Sequence, residues 1–306
     1  MTAEIVPDSQ HRGLVARLPQ FPRDLAQLAR FDRPIGWWLL FWPCAWGVLL
    51  AGGEGRWGLM AWLLAGSIVM RGAGCVYNDL ADADIDRRVA RTAARPIASG
   101  RVGAKVAWAW LVLLCLGGLV VLLQLRPEAR VVALVSLALV AAYPFMKRIT
   151  GWPQAWLGLV FTWGAPVGWV EMVGLARLVP LGLLYAGCWA WCMGYDTIYA
   201  LQDREDDALI GTGSSALSFG RHVKAGVAAL YGLALVAWGG AFWVLRGGGE
   251  NGGWLALLAL VPMALHLGWQ VVSLIPEDGA SALARFRANR FAGLLMALAC
   301  WVVGNA

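Results

Sequence analysis

Nine long apolar runs leave this chain few ways to fold. They lie at about 35–52, 57–77, 104–125, 129–146, 152–172, 178–201, 223–245, 253–275 and 290–305 of 306 residues. A helix needs about 20 such residues to cross the hydrocarbon of a bilayer. Within lipid every backbone amide must find its partner inside the segment, which favours helices over open strands or loops. The fold class expected is therefore all-α, a polytopic membrane protein with nine transmembrane helices. Composition points the same way, since 59% of residues are hydrophobic and only 14% charged, far from the balance of a soluble domain.

The charged residues are arranged by side. Of the 25 lysines and arginines, nineteen precede the first run or fall in every second connection or at its edge, five fall at the other connections, and Arg71 lies inside a run. Positive residues collect on the cytoplasmic side, so the N-terminus is expected in the cytoplasm and the C-terminus across the membrane. Residues 1–30 read as a cytoplasmic or interfacial segment in which Pro19 and Pro22 interrupt any long helix, and residues 31–306 as the membrane domain. No signal peptide is expected, because charges and prolines break any apolar stretch there. The net charge of +6 is spread over short connections and gathered into no single domain, which argues against a nucleic-acid partner. All six cysteines fall within apolar segments, where thiols pack as small hydrophobes.

Two acidic clusters sit on the inferred cytoplasmic side. In "VYNDLADADIDRRVARTAARP", Asp79, Asp82 and Asp86 stand at i, i+3 and i+7, one face of a helix, with Asp84 pointing elsewhere. In "MGYDTIYALQDREDDALIGTGSSALSFG", Asp196, Asp203 and Asp207 stand at i, i+7 and i+11, with Tyr199 alongside. Both faces follow a membrane run at matching depth, so they meet if the runs line a central cavity. Like charges on one face repel, and near hydrocarbon an ionised side chain costs more, up to about 3 kcal/mol at the membrane centre. A bound cation offsets that cost. Carboxylates without His or Cys suit a hard ion, and Mg²⁺ completes its shell with water and phosphate oxygens. The plainer alternative is a solvated acidic loop balanced by neighbouring arginines. Against it stands the recurrence of the pattern on one side, together with a basic rim of Arg87, Arg88, Arg91, Arg95, Lys147, Arg148, Arg221 and Lys224. Such a rim suits a Mg²⁺-chelated diphosphate. A long apolar tail on that diphosphate would explain the membrane setting, and a polyprenyl diphosphate has both parts.

"NDLADADID" resembles the NDxxDxxxD signature of the UbiA superfamily of intramembrane prenyltransferases. "YDTIYALQDREDD" resembles the second signature of its 4-hydroxybenzoate polyprenyltransferase branch. "RFDRPIGWWLLFWPCAWGVLLA", "RTAARPIASG", "AYPFMKRITGWPQAWLG" and "FRANRFAG" extend the likeness, in order, from about residue 29 to 295. The resemblance implies a nine-helix fold in a bacterial inner membrane with its site facing the cytoplasm. It also implies transfer of a polyprenyl group to the ring carbon ortho to the hydroxyl of 4-hydroxybenzoate, in ubiquinone biosynthesis. Diphosphate loss assisted by Mg²⁺ precedes electrophilic aromatic substitution. The implied metal residues are Asn78, Asp79, Asp82, Asp86, Asp203 and Asp207. Arg91, Arg95, Lys147 and Arg148 fall to the diphosphate, and Arg33, Arg148 and Tyr195 to the aromatic acid. Asp196 could orient substrate, accept the ring proton, coordinate metal or bond to a neighbouring tyrosine. Within the superfamily, dihydroxynaphthoate, haem, homogentisate and chlorophyllide are alternative acceptors. One departure stands out: Leu209 and Gly213 occupy positions where the family often carries lysine. A transporter would instead need ionisable residues near the midplane and on a route across, whereas the outer connections here hold few charges.

Overall fold

The computed structural model describes residues 12–87, 92–202, 204, 213–248 and 252–305, and of these the side chains of Arg12, Ile85, Lys147 and Arg148 are not described. All regular structure among the described residues is helical. Seven helices there are long and apolar enough to cross a membrane: Trp57–Ala81, Ala104–Leu122, Pro127–Met146, Leu178–Ala200, Ser215–Leu245, Gly253–Ser273 and Gly279–Asn305. The chain is an integral, multi-pass membrane protein. Three of the nine apolar runs differ from the expected single long helix, that at 253–275 being Gly253–Leu258 followed by Val261–Ser273. The first is a helix of 16 residues, Ile35–Leu50. The run at 152–172 is two helices of 10 residues, Pro153–Thr162 and Gly164–Val173. Pro166 lacks the N–H that would reach the Thr162 carbonyl four residues back, and the chain turns through Trp163, whose amide bonds instead to the Val160 carbonyl at 3.4 Å.

The outer faces of these helices are apolar as well as their inner ones. Along Ala104–Leu122, Val112, Leu113, Leu116, Leu119 and Val120 are all exposed. In water such a patch would be an interaction surface or a liability; in a bilayer it is what the lipid meets.

The chain divides into two compact units. The first comprises Met1–Trp38 and Gly58–Gln124. Its core gathers Leu28, Ala29, Ala73, Val76, Ile97, Val102, Ala107 and Leu114. The helix Gln20–Leu28 is tied to its neighbours by two polar contacts at its middle. Trp110 Nε1 donates to the Leu25 carbonyl at 3.2 Å, and Arg101 Nε donates to Asp24 Oδ1 at 2.9 Å. Gly72 lets Ala29 and Phe31 approach the Trp57–Ala81 helix, since a Cβ there would lie 3.2 Å from each.

The second unit comprises Leu39–Trp57 and Leu125–Ala306. Small residues bring its helices to backbone contact. A Cβ on Gly47 would run into the Ala165 carbonyl, and one on Gly168 into the Cys44 carbonyl, the close approach that membrane helices use in place of a hydrophobic driving force. Around this contact runs a column of rings: Trp238 on Trp46, Trp46 on Trp191 at 4.9 Å, Trp191 on Tyr195 at 4.8 Å, then Phe286 and Tyr199. A set of polar side chains buried beside the column bond to one another. Asn289 Oδ1 accepts from Trp191 Nε1 at 2.8 Å, its Nδ2 donates to Gln270 Oε1 at 3.1 Å, and Tyr231 donates to that same oxygen at 2.9 Å.

Candidate active site

The first acidic signature begins on the last turn of the Trp57–Ala81 helix and continues through a short helical piece, Ala83–Asp86. The i to i−4 bonding does not lapse between them: the Asp82 amide bonds to the Asn78 carbonyl and the Asp86 amide to the Asp82 carbonyl, both at 2.9 Å. Helical phase is therefore kept across the signature. Asp79, Asp82 and Asp86 are 2%, 1% and 6% exposed, whereas the Asp84 side chain is 85% exposed and pairs with Arg87 at 2.9 Å. Three buried carboxylates share one face, as their spacing requires, and the fourth lies in the open. Asn78 is half-buried beside them.

Two arginines of the same unit meet this face. Arg30 follows the helix Gln20–Leu28 with φ of 57°, a left-handed conformation that is uncommon for a side-chain-bearing residue. Its Nη2 donates to both oxygens of Asp79, at 2.8 and 2.9 Å, while Nη1 donates to the Gln27 carbonyl at 2.9 Å. Burial works against the charge on Arg30, but Asp79 together with Cys75 and Asp32 outweighs it, and the guanidinium is held above its ordinary pKa. Arg95 comes from the folded connection after the signature. Thr92 Oγ1 donates to the Asp86 carbonyl at 3.0 Å, and the Arg95 amide to the Thr92 carbonyl at 2.9 Å. That turn sets Arg95 Nη1 between two carboxylates, 3.2 Å from Asp79 Oδ1 and 2.7 Å from Asp86 Oδ2. Burial pushes the Asp86 carboxyl above its usual range; Arg95 pulls it down, and Asp79 adds to the rise.

Sequence reasoning passed over Arg30. It singled out Arg33, which stands beside Asp32 with Nε 3.6 Å from Oδ2. Both arginines precede Pro34, and nothing local says which one turns 49 residues ahead to Asp79. Arg71 carries a further charge inside a span, donating from Nη1 to Cys75 Sγ at 2.6 Å, and the missing side chain of Gly36 leaves it room.

In the second unit the helix Leu178–Ala200 carries the start of the second signature. Tyr195 is 1% exposed, and its phenol oxygen accepts from Cys192 Sγ at 2.9 Å. Asp196 beside it is half-buried. Asp203 and Asp207 lie outside the described residues, as does Arg91, and so do the side chains of Lys147 and Arg148. The backbone of that basic pair forms the end of the helix Pro127–Ile149.

The segment after the second signature packs closely at Gly213. Ser215 N donates to Gln154 Oε1 at 2.9 Å, Ser218 Oγ donates to the Gly151 carbonyl at 3.2 Å, and the Thr197 and Ser215 hydroxyls meet at 2.7 Å. These contacts seat Gly213 so closely that a Cβ would lie 2.7 Å from Gly151 Cα and 2.8 Å from the Thr150 oxygen. A lysine stem does not fit that seat. Of the other basic residues on the expected rim, Arg221 Nε donates to His222 and Lys224 Nζ to the Val272 carbonyl.

The donor chemistry of the first signature fits a hard divalent cation: oxygen ligands only, buried, with two carboxylates close enough to share one positive nitrogen. Among the described residues no three acidic, His or Cys side chains close around one point as a metal cage. Mg²⁺ does not require one, because it is commonly held by one or two carboxylates with phosphate and water completing the shell.

The chain matches the UbiA prenyltransferase family over residues 40–300. It is 42% identical over 283 residues to a protein of Arabidopsis thaliana named 4-hydroxybenzoate polyprenyltransferase, mitochondrial, a match that spans 91% of this chain and 68% of that one. The fold resembles the apo structure of a UbiA homologue from Aeropyrum pernix K1, with a TM-score of 0.62, 25% identity, and coverage of 87% of this chain and 97% of the other. It also resembles a UbiA homologue from Archaeoglobus fulgidus solved with GPP and Mg²⁺, with a TM-score of 0.65, 15% identity, and coverage of 92% and 100%. The mitochondrial name of the relative gives no support to the bacterial inner membrane expected from the sequence. Signature, fold and relatives agree, and the chain belongs to the UbiA prenyltransferase family.

Proposed function

We propose that this protein transfers a polyprenyl group from polyprenyl diphosphate to the ring carbon ortho to the hydroxyl of 4-hydroxybenzoate, a step of ubiquinone biosynthesis. The observation that carries the reading is the buried face of Asp79, Asp82 and Asp86 with Arg30 and Arg95 upon it. The name of the Arabidopsis relative supports the acceptor, and the GPP and Mg²⁺ of the Archaeoglobus homologue support the donor and the ion.

The chain's own residues do the following. Asp79, Asp82 and Asp86, with Asn78 beside them, and Asp203 and Asp207 of the second signature supply the oxygens that would hold Mg²⁺. When bound, the ion neutralises charge on the departing diphosphate, lowering the barrier to allylic C–O cleavage. Arg95, with Arg91, Lys147 and Arg148, takes up the rest of that charge by charge-assisted hydrogen bonds. Cleavage leaves a delocalised allylic cation, and apolar walls keep water from it until the ring carbon attacks. The ring proton then passes to a base, for which Asp196 is our candidate. The benzoate carboxylate calls for an arginine, and Arg33, Arg148 and Arg71 are the candidates. Tyr195 belongs with the acceptor through its place next to Asp196, as the ring that backs it. We further propose nine crossings around a central cavity, with the N-terminus and the site on the cytoplasmic side, an orientation supported by the charge split.

Membranes containing the full chain, incubated with 4-hydroxybenzoate, dihydroxynaphthoate or homogentisate together with labelled prenyl diphosphates of several lengths and Mg²⁺, test the reading. The expected product is the 3-polyprenyl derivative of 4-hydroxybenzoate, formed in preference to products from dihydroxynaphthoate or homogentisate. Prenylation of another phenol with none of 4-hydroxybenzoate would move the chain to a different acceptor branch.

A further inference from the structure

Arg30 and Arg95 hold the same acidic face in different ways. Arg30 is fixed: its backbone is left-handed, its Nη1 is bonded to the Gln27 carbonyl, and its Nη2 grips both oxygens of Asp79. The Arg95 side chain is more exposed, at 24% against 10% for Arg30. It reaches two carboxylates through one nitrogen, Nη1, at 3.2 and 2.7 Å. A divalent ion that took those same two oxygens, Asp79 Oδ1 and Asp86 Oδ2, would compete with that nitrogen for the space between them, because Mg²⁺ binds oxygen at about 2.0 to 2.1 Å. The two positive groups cannot share the place.

We propose that Arg95 is an exchangeable counter-cation. With no metal bound it bridges Asp79 and Asp86 and offsets their repulsion. When Mg²⁺ enters with a diphosphate, the guanidinium gives up the carboxylates and passes to diphosphate oxygens. The proposal rests on the reading of this face as a metal–diphosphate site and adds a consequence to it. Metal alone must displace Arg95, so it binds weakly. Metal with diphosphate offers Arg95 a new partner, so the two ligands bind cooperatively. The site thereby avoids filling with metal before its substrate arrives. An arginine that only contacts phosphate would leave binding of the metal alone unchanged, and one that only braced the fold would weaken both ligands when removed.

Mn²⁺ binding to the purified full chain in detergent, followed by electron paramagnetic resonance, separates these cases. The probes are Mn²⁺ alone and Mn²⁺ with a non-cleavable prenyl thiolodiphosphate. Arg95→Gln should bind Mn²⁺ alone roughly tenfold or more tightly, the scale of a lost charge-assisted hydrogen bond. The same variant should bind the thiolodiphosphate, at saturating Mn²⁺, more weakly by a similar factor. Arg95→Lys keeps a charge in place and should stay close to the unsubstituted protein with Mn²⁺ alone, which guards against a folding defect in the glutamine variant. Effects of opposite sign on the two ligands support the exchange. Unchanged or weaker binding of Mn²⁺ alone in Arg95→Gln, with the ternary complex still formed by the unsubstituted protein, overturns the exchange and leaves the site reading intact. Failure of the unsubstituted protein to bind Mn²⁺ even with thiolodiphosphate overturns both.

Discussion

Asp79→Asn and Asp203→Asn each lower prenyl transfer by about a thousandfold or more, the upper range for loss of one preorganised electrostatic contact to a leaving group, while Asp84→Asn stays close to the unsubstituted enzyme. The contrast follows from the helix face. Asp79 is buried among partners and the Asp84 side chain is 85% exposed, so the same chemical change falls on the proposed metal site in one case and on solvent in the other. Asparagine is the right replacement at 79, because it keeps a hydrogen-bond acceptor for Arg30. Chelation by EDTA should reproduce the loss, and added Mg²⁺ should reverse it. Initial rates in membranes, normalised to inserted protein, make the comparison. Equal rates for Asp79→Asn and Asp84→Asn would reduce the cluster to a solvated surface.

Asp79→Leu destabilises the protein by about 3 to 5 kcal/mol, and Arg30→Met added to it restores most of that loss without restoring activity. Removing one partner of a buried ion pair leaves the other charge stranded, which costs far more than the pair itself contributes. Arg30 is only 8% exposed and grips Asp79 through two bonds, so it is the charge left behind. Replacing both by apolar side chains of similar volume removes the stranded charge together with its partner. Thermal midpoints of the purified chain, read beside turnover, separate the two roles of Asp79: its stability role is exchangeable with Arg30, its catalytic role is not. A double variant as unstable as Asp79→Leu alone would mean that the pair matters for its shape and not for its charge balance.

What could be read in the sequence was whatever one helix decides for itself. The burial of Asp79, Asp82 and Asp86 and the exposure of Asp84 are consequences of 3.6 residues per turn, and the backbone bonds through Asp82 show that the period holds beyond the end of the long helix. The apolar runs were legible as helical, but not the short reach of Ile35–Leu50 or the breaks near Trp163 and Leu260, for which Pro166 and Pro262 were the available signs. Arg30 was not legible. Its partner is 49 residues away, and the choice between it and Arg33 depends on a left-handed turn that neither residue type announces. The tight seat of Gly213 was not legible, because the backbone of Thr150 and Gly151 pressed against it comes from a segment about 62 residues earlier. The surroundings of Tyr195 were not legible either: its ring lies between Trp191 and Phe286 and its hydroxyl on Cys192, contacts made in part by a helix far along the chain.

The central claim is that the carboxylate face of the first signature holds a divalent cation that in turn holds the diphosphate. Phosphorus hyperfine coupling to bound Mn²⁺, recorded on the full chain with a prenyl thiolodiphosphate, tests it most directly. The account predicts a ³¹P-coupled Mn²⁺ signal in the unsubstituted protein and in Asp84→Asn, and its loss in Asp79→Asn and Asp86→Asn. A coupled signal of the same intensity in all four proteins would contradict it.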